Sequence, residues 1–130
     1  MILLDTNTLI YYIRGIESVV KRFQATPRAE LRIPSIVAYE MEYGALRIGS
    51  SRRRRVTEEL LAGVARIPFD AEAARQTARI RMELEKRGLV IGPLDLMIAG
   101  TAMSREAVLV TSNTKEFSRV RGLRLADWTK

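Results

Sequence analysis

Short apolar runs that end on a polar residue alternate along this chain with stretches of helical spacing. Ile2 to Leu4 reads as a short buried strand, and Thr6-Asn7-Thr8 supplies helix-start chemistry at its end. A helix through Leu9, Ile10, Tyr11, Tyr12 and Ile13 stops near Gly15. Val19, Val20 and Phe23 then recur at helical spacing in a second helix, from about Ile16 to Ala25, which Pro27 ends. Leu31-Arg32-Ile33 is a short strand running into Pro34-Ser35. Ser35 is expected to cap a helix carrying Glu40, Met41, Tyr43 and Leu46, which stops near Gly49.

Arg52 to Arg55 open the next helix, with Val56, Leu60, Leu61 and Val64 as its apolar positions. Ile67-Pro68-Phe69 reads as an edge strand, because proline has no N–H to give a central ladder. Asp70 begins a long amphipathic helix with Ala74, Thr77, Ala78, Ile80, Met82 and Leu84, closed by Gly88. Gly92-Pro93 starts a helix from Leu94 to about Ser104, proline being well tolerated in a first turn. Val108 to Thr111 is the clearest buried strand, and Leu123 to Leu125 is expected to form the last one before Trp128. Strands alternating with helices imply an α/β unit, a mostly parallel sheet covered on both faces.

A chain of 130 residues is long enough for one real core and too short for two, so residues 1–130 are expected to form a single domain. The hydrophobic fraction of 47% exceeds that of disordered chains. No apolar stretch approaches the roughly 20 residues needed to span a bilayer. The N-terminus lacks a basic region and meets Asp5 too soon for a signal peptide. A cytoplasmic protein with no membrane partner is the expectation.

The absence of cysteine excludes disulfides, thiolate nucleophiles and cysteine-based zinc sites. With no histidine, the commonest general base is missing too, and a Ser-His-Asp triad is ruled out. Hydrolysis by this chain must therefore rest on carboxylates, a lysine or a metal. The net charge of +7 favours polyanionic partners, RNA or DNA first.

Four acid or amide side chains sit where an apolar run stops or is interrupted: Asp5 after Ile2-Leu3-Leu4, Glu40 within Ile36 to Met41, Asp95 within Pro93 to Ile98, and Asn113 after Val108 to Thr111. An ionised carboxylate at a core edge costs several kcal/mol unless a cation or donors compensate it. Ligands of open α/β sheets bind beyond the carboxyl ends of the strands, where Asp5 and Asn113 fall and which Glu40 and Asp95 can reach from helix starts. Such an oxygen-only cluster suits Mg²⁺ or Mn²⁺, and phosphodiester hydrolysis is the chemistry it supports. Each residue also has a plainer reading. Asp5 suits a helix N-cap, Asp95 the positive end of a helix dipole, Glu40 a solvent face beside Glu42, and Asn113 a turn.

Taken together, Ile2-Leu3-Leu4-Asp5-Thr6-Asn7, Pro34 to Gly44, Ile91 to Ala99, Leu109 to Phe117 and Leu123 to Trp128 make the chain resemble a PIN-domain ribonuclease of the VapC toxin type, in the right order over nearly its whole length. The resemblance implies a PIN-like three-layer fold, a central sheet of four or five short strands flanked by helices. It places Asp5, Glu40 and Asp95 on the family's acidic metal site, and Asn113 where many members have a fourth aspartate. Glu116 is the candidate replacement carboxylate, and Glu40 is preferred to Glu42 because it opens the Glu-hydrophobe-x-Tyr-Gly pattern. Thr6 and Thr111 are candidate hydroxyls that orient the carboxylates. The same likeness implies a Mg²⁺- or Mn²⁺-dependent endoribonuclease, the toxin of a toxin–antitoxin pair, silenced by a VapB-like antitoxin and homodimeric.

Arg52-Arg53-Arg54-Arg55 is the densest charge run, either a solvated helix start or a grip for RNA phosphates or an acidic partner. Arg14, Lys115, Arg119 and Arg121 lie closer in sequence to the proposed site and are the candidate RNA-binding residues. The first two helices carry more apolar surface than one core-facing stripe needs, and by the resemblance the surplus suits a groove for an antitoxin helix. Two competing readings are a receiver-type signalling domain and a PIN-like domain that binds RNA without cutting it, the latter favoured by Asn113.

Overall fold

The computed structural model describes residues Met1–Lys130. Five short strands, β1 (Ile2–Leu4), β2 (Leu31–Pro34), β3 (Arg66–Ile67), β4 (Val108–Val110) and β5 (Arg124–Ala126), form one sheet in the order β3-β2-β1-β4-β5. Every pairing is parallel; Ile2 sits opposite Leu31 on one side and Val108 on the other. Leu3, Leu4, Ile33, Leu109 and Val110 are all buried, as a parallel sheet covered on both faces requires. Seven helices flank it: α1 (Thr6–Ile13), α2 (Glu17–Ala25), α3 (Ser35–Ile48), α4 (Ser51–Gly63), α5 (Ala71–Lys86), α6 (Pro93–Ser104) and α7 (Thr114–Phe117). The result is a three-layer α/β fold. No helix is long and apolar enough to cross a membrane.

The strand order decides between two of the competing readings. A receiver-type sheet runs 2-1-3-4-5, whereas this sheet runs 3-2-1-4-5, so the signalling reading is excluded by topology. In the observed order the connections reverse direction between β1 and β4, and a crevice opens there beyond the strand ends. Asp5 follows β1 and Thr111 follows β4, so the acidic residues gather at that crevice for topological reasons.

Several local expectations need correction. Ser35 is the first residue of α3 rather than its cap; Pro34 holds the cap position and makes no side-chain bond. The α4 helix begins at Ser51, capped by Ser50, whose hydroxyl accepts from the Arg53 N–H at 3.2 Å. In α5 the buried positions are Ala73, Ile80 and Leu84, while Ala74, Ala78 and Met82 face solvent. Apolar residues stand on both faces of that helix, so apolar identity alone does not mark the inner one. β3 is confined to Arg66–Ile67, leaving Pro68 just past it on the sheet edge. A 3₁₀ turn at Arg28–Glu30 and the one-turn helix α7 have no counterpart among the expected elements.

The α5–α6 packing fixes the helix that carries Asp95. Gly100 lies so close to α5 that a Cβ there would meet Thr77 Oγ1 at 1.8 Å. Thr77 in turn donates to the Ala73 carbonyl at 2.7 Å. Only glycine lets the two helices approach this closely, and the approach sets the height at which α6 presents its first turn to the sheet edge.

Candidate active site

Asp5 is the pivot. Its N–H continues the sheet by donating to the Val110 carbonyl at 3.0 Å, and its side chain begins α1. One carboxylate oxygen accepts from the Thr6 N–H at 2.8 Å, so the plain N-cap reading is correct as far as it goes. The other accepts from the Thr111 hydroxyl at 2.7 Å. Only 4% of Asp5 remains exposed, and burial pushes its carboxyl above the usual range despite those two donors. Nearby Glu40 and Glu116 raise it further.

Around Asp5 three more carboxylates converge from separate elements. Glu40 lies in the second turn of α3, where its Oε1 accepts from the Thr6 hydroxyl at 2.8 Å. Glu42 is exposed and faces the groove between α3 and α4, so Glu40 is the residue turned toward Asp5. Glu116, on α7, accepts from the Gly92 N–H at 2.9 Å and from the Asn113 amide at 3.1 Å. Asp95 sits in the first turn of α6, half-buried, and its side chain meets the Glu116 carboxyl with no N–H or hydroxyl donor of the chain aimed at it. A Cβ added to Gly92 would stand 3.9 Å from both Asp95 Oδ2 and Glu116 Oε1, which bounds how far apart these two acids can be.

The electrostatics follow from this unequal supply of donors. The Gly92 N–H first, and the Asn113 amide with it, hold Glu116 below the usual carboxylate range. Asp95 has no such support. Desolvation, then the charges of Asp5, Glu116 and Glu40, push it up to about 7. The two neighbouring acids are thus shifted in opposite directions, Asp95 up and Glu116 down. None of the four acids forms an ion pair with a lysine or arginine.

The donor set fits a hard divalent cation. It is all oxygen, none of its carboxylates is ion-paired, and burial with neighbouring negative charge raises the Asp95 carboxyl. No three acidic side chains close on one point as a finished cage. That is compatible with Mg²⁺, which keeps several waters and binds through one or two carboxylates, though not with a rigid site made entirely of protein ligands.

The remaining candidate residues divide in two. Asn113 precedes α7 without capping it through its side chain; its N–H donates to the Thr111 hydroxyl at 3.0 Å and its amide steadies Glu116. Arg14 and Lys115 are exposed and unpaired. Arg119, by contrast, donates to the Val90 carbonyl at 2.7 Å, and Arg121 faces Glu83 at 3.8 Å. Arg119 thereby ties the segment after α7 to the α5–α6 connection, while Arg121 lies against α5. Gly92 escapes sequence reasoning, although its N–H is the strongest influence on Glu116; a Gly-Pro pair ahead of Asp95 signals only a helix start.

The PIN domain family model matches residues 2–123. The chain is 38% identical over 128 residues to the tRNA(fMet)-specific endonuclease VapC of Shigella flexneri, covering 98% of this chain and 97% of that protein. The fold superposes on the DNA-bound VapBC of Salmonella typhimurium with a TM-score of 0.90, at 39% identity over 98% of this chain and 97% of that one. It superposes on VapBC2 of Rickettsia felis, bound to a DNA fragment from its promoter, with a TM-score of 0.89, at 33% identity over 98% and 99% of the two chains. The three-layer fold with acids at the β1–β4 crevice is thus that of a PIN domain. This chain belongs to the PIN-domain family, and its relatives at this level of identity are VapC proteins.

The raised Asp95 carboxyl has a consequence for stability. The Asp95 carboxyl sits at about 7 in the folded protein against an ordinary value of 3.8, so the folded state binds the proton more tightly than the unfolded chain. In the metal-free protein this stability is fully present below about pH 4 and is lost as pH rises through about 7. Asp95→Asn should therefore melt higher than the parent at pH 8, on the order of 5 °C after allowing for solvent screening. The gap should shrink toward pH 4. Thermal melts in EDTA across that range check it; a variant melting lower than the parent at pH 8 contradicts the assignment.

Proposed function

We propose that this protein is an endoribonuclease of the VapC toxin type, dependent on Mg²⁺ or Mn²⁺ and held in check by a VapB-like antitoxin. The observation that carries the reading is the set of four carboxylates, Asp5, Glu40, Asp95 and Glu116, gathered at the β1–β4 crevice with no cation paired to them. Family membership, and relatives named as a tRNA endonuclease and as VapBC complexes, supports RNA as substrate and an antitoxin as partner. RNA containing a structured loop, transfer RNA first, is the substrate class to try.

Asp5 and Asp95 would hold the ion, with Glu40 and Glu116 on either side. When bound, a hard divalent cation supplies Lewis acidity toward a hydrolytic water and neutralises charge on the leaving oxygen. The chain's own groups do the positioning. Thr111 fixes the orientation of Asp5, Thr6 that of Glu40, and the Gly92 N–H with the Asn113 amide that of Glu116. Asn113 in place of an aspartate removes one negative charge, which is the basis of the binding-without-cutting alternative. Glu116 answers it by bringing a carboxylate to the same end of the site.

Two surfaces suit the expected partners. Tyr12, Ile13, Val20, Phe23, Val56 and Leu60 line a groove of about 460 Å³ between α1, α2 and α4, apolar enough to seat an amphipathic antitoxin helix. On α3, Tyr39, Tyr43 and Leu46 are each more than half exposed and fall on one side of the helix, an apolar face suited to a second copy of the chain.

Purified protein with Mg²⁺ should cut RNA, EDTA should abolish the cutting, and Asp5→Ala should lower kcat by at least about a hundredfold, the scale of losing a positioned charge at the reacting centre. Cutting that persists in EDTA, or in Asp5→Ala, would defeat the metal-site reading; RNA bound but never cut would favour the alternative. The protein should also be a dimer by light scattering, and Tyr43→Glu with Leu46→Glu should make it monomeric. A parent that scatters as a monomer contradicts the role given to α3.

A further inference from the structure

The proposed active site carries a physical difficulty: four carboxylates repel the polyanion they are meant to cut. Attraction must come from cations elsewhere. Most arginines near the sheet are committed to internal bonds. Arg28 donates to the Gly63 carbonyl, Arg32 to Ala29 and Leu31, Arg119 to Val90, Arg87 to the Arg119 carbonyl, and Arg105 pairs with Asp70. One concentrated group is free. Arg47, Arg52, Arg53, Arg54 and Arg55 make no ion pair and no side-chain hydrogen bond, although Glu58 and Glu59 lie one turn beyond Arg54 and Arg55. The Nε of half-buried Arg53 is enclosed without any partner.

Their place in the fold is equally specific. Glu42, Ala45 and Leu46 of α3 line one groove with Arg54, Thr57 and Glu58 of α4, so the two helices run antiparallel as a hairpin. The hairpin's two feet stand together on the sheet, since α3 leaves from Pro34 and the Ala65 carbonyl after α4 accepts from the Ile33 N–H at 2.9 Å. Gly49, with φ of 72°, turns the sharp corner at the far end. The corner therefore projects about 20 Å from the sheet along α3, at 1.5 Å per residue, and Arg47 stands about 10 Å beyond Glu40 on the same axis. Four arginines at the positive end of α4 also oppose its dipole, an arrangement that costs stability unless anions approach.

We propose that the arginine corner of the α3–α4 hairpin is a phosphate grip that holds single-stranded RNA leading out of the active site. This rests on reading the acidic crevice as a site that meets RNA. The grip is indifferent to sequence: guanidinium groups fan around the first turn of α4 and meet backbone phosphates, with no base edges read. The site then supplies the chemistry, and the corner supplies the affinity that the site's own charge denies it.

The test is a variant carrying Arg47→Gln, Arg52→Gln, Arg54→Gln and Arg55→Gln, which leaves half-buried Arg53 in place to protect folding. A matching far-ultraviolet spectrum and melting temperature establish that it folds. Binding of a long single-stranded RNA, followed by fluorescence anisotropy in EDTA over a salt series, should weaken. The slope of log K against log salt should fall by roughly 3, at about 0.7 for each phosphate the variant no longer neutralises. With Mg²⁺, KM for the long RNA should rise while kcat is retained, and cleavage of a tetranucleotide should be unaffected. Unchanged affinity and slope overturn the proposal, as does a parent that binds no RNA. Loss of polyglutamate binding with RNA binding intact also overturns it, and assigns the corner to an acidic protein. A parent that binds RNA through the corner but does not cut it sustains the grip and defeats the nuclease reading, so the two failures are distinct.

Discussion

Everything at the proposed site depends on Asp5 being held ionisable inside the protein edge. A carboxylate that is almost wholly enclosed is tolerable only with donors fixed on it, and the fold provides one from each neighbouring element. The Thr6 N–H comes from the start of α1, and the Thr111 hydroxyl comes from the end of β4. Because β1 and β4 are adjacent and parallel, their carboxyl ends lie level, so Thr111 needs no long reach. The same adjacency is what opens the crevice into which Glu40, Asp95 and Glu116 are delivered by three separate helices.

That delivery leaves a charge imbalance that is informative in itself. Each acid except Asp95 has at least one hydrogen-bond donor aimed at it, and Asp95 holds a proton near neutrality instead. A purely structural cluster would normally be neutralised by arginines, and this chain has many. It places them elsewhere: some bind carbonyls, some pair on the surface of α5, and five crowd the corner between α3 and α4. The acidic pocket is thus left without an ion-paired arginine or lysine, and on that feature the proposed metal site rests.

Much of this is legible in the chain. Apolar runs ending in a polar residue mark β1 and β4 because buried parallel strands need continuous hydrophobicity, and the residue after the strand must meet solvent or a ligand. Glu40 can be chosen over Glu42 from its motif, and the structure turns Glu40 toward Thr6 and Glu42 toward solvent. Less legible are features that depend on tertiary placement. The inner face of α5 is hidden because alanines occupy both sides of it. Arg119 and Arg121 are near the site in sequence, yet their guanidinium groups turn to Val90 and Glu83, which lie far off in the chain. Gly92 carries no side chain to advertise its part, and the backbone N–H it lends to Glu116 becomes visible only once α6 and α7 are set side by side.

The four carboxylates are proposed as a seat for a hard divalent ion. Diffraction from crystals grown with Mn²⁺, recorded where manganese scatters anomalously, tests this most directly. An anomalous peak is expected in the β1–β4 crevice, with Asp5 and Asp95 oxygens as ligands and water completing the shell. A crevice holding no manganese at saturating concentration, or one closed by a lysine or arginine side chain, would contradict it.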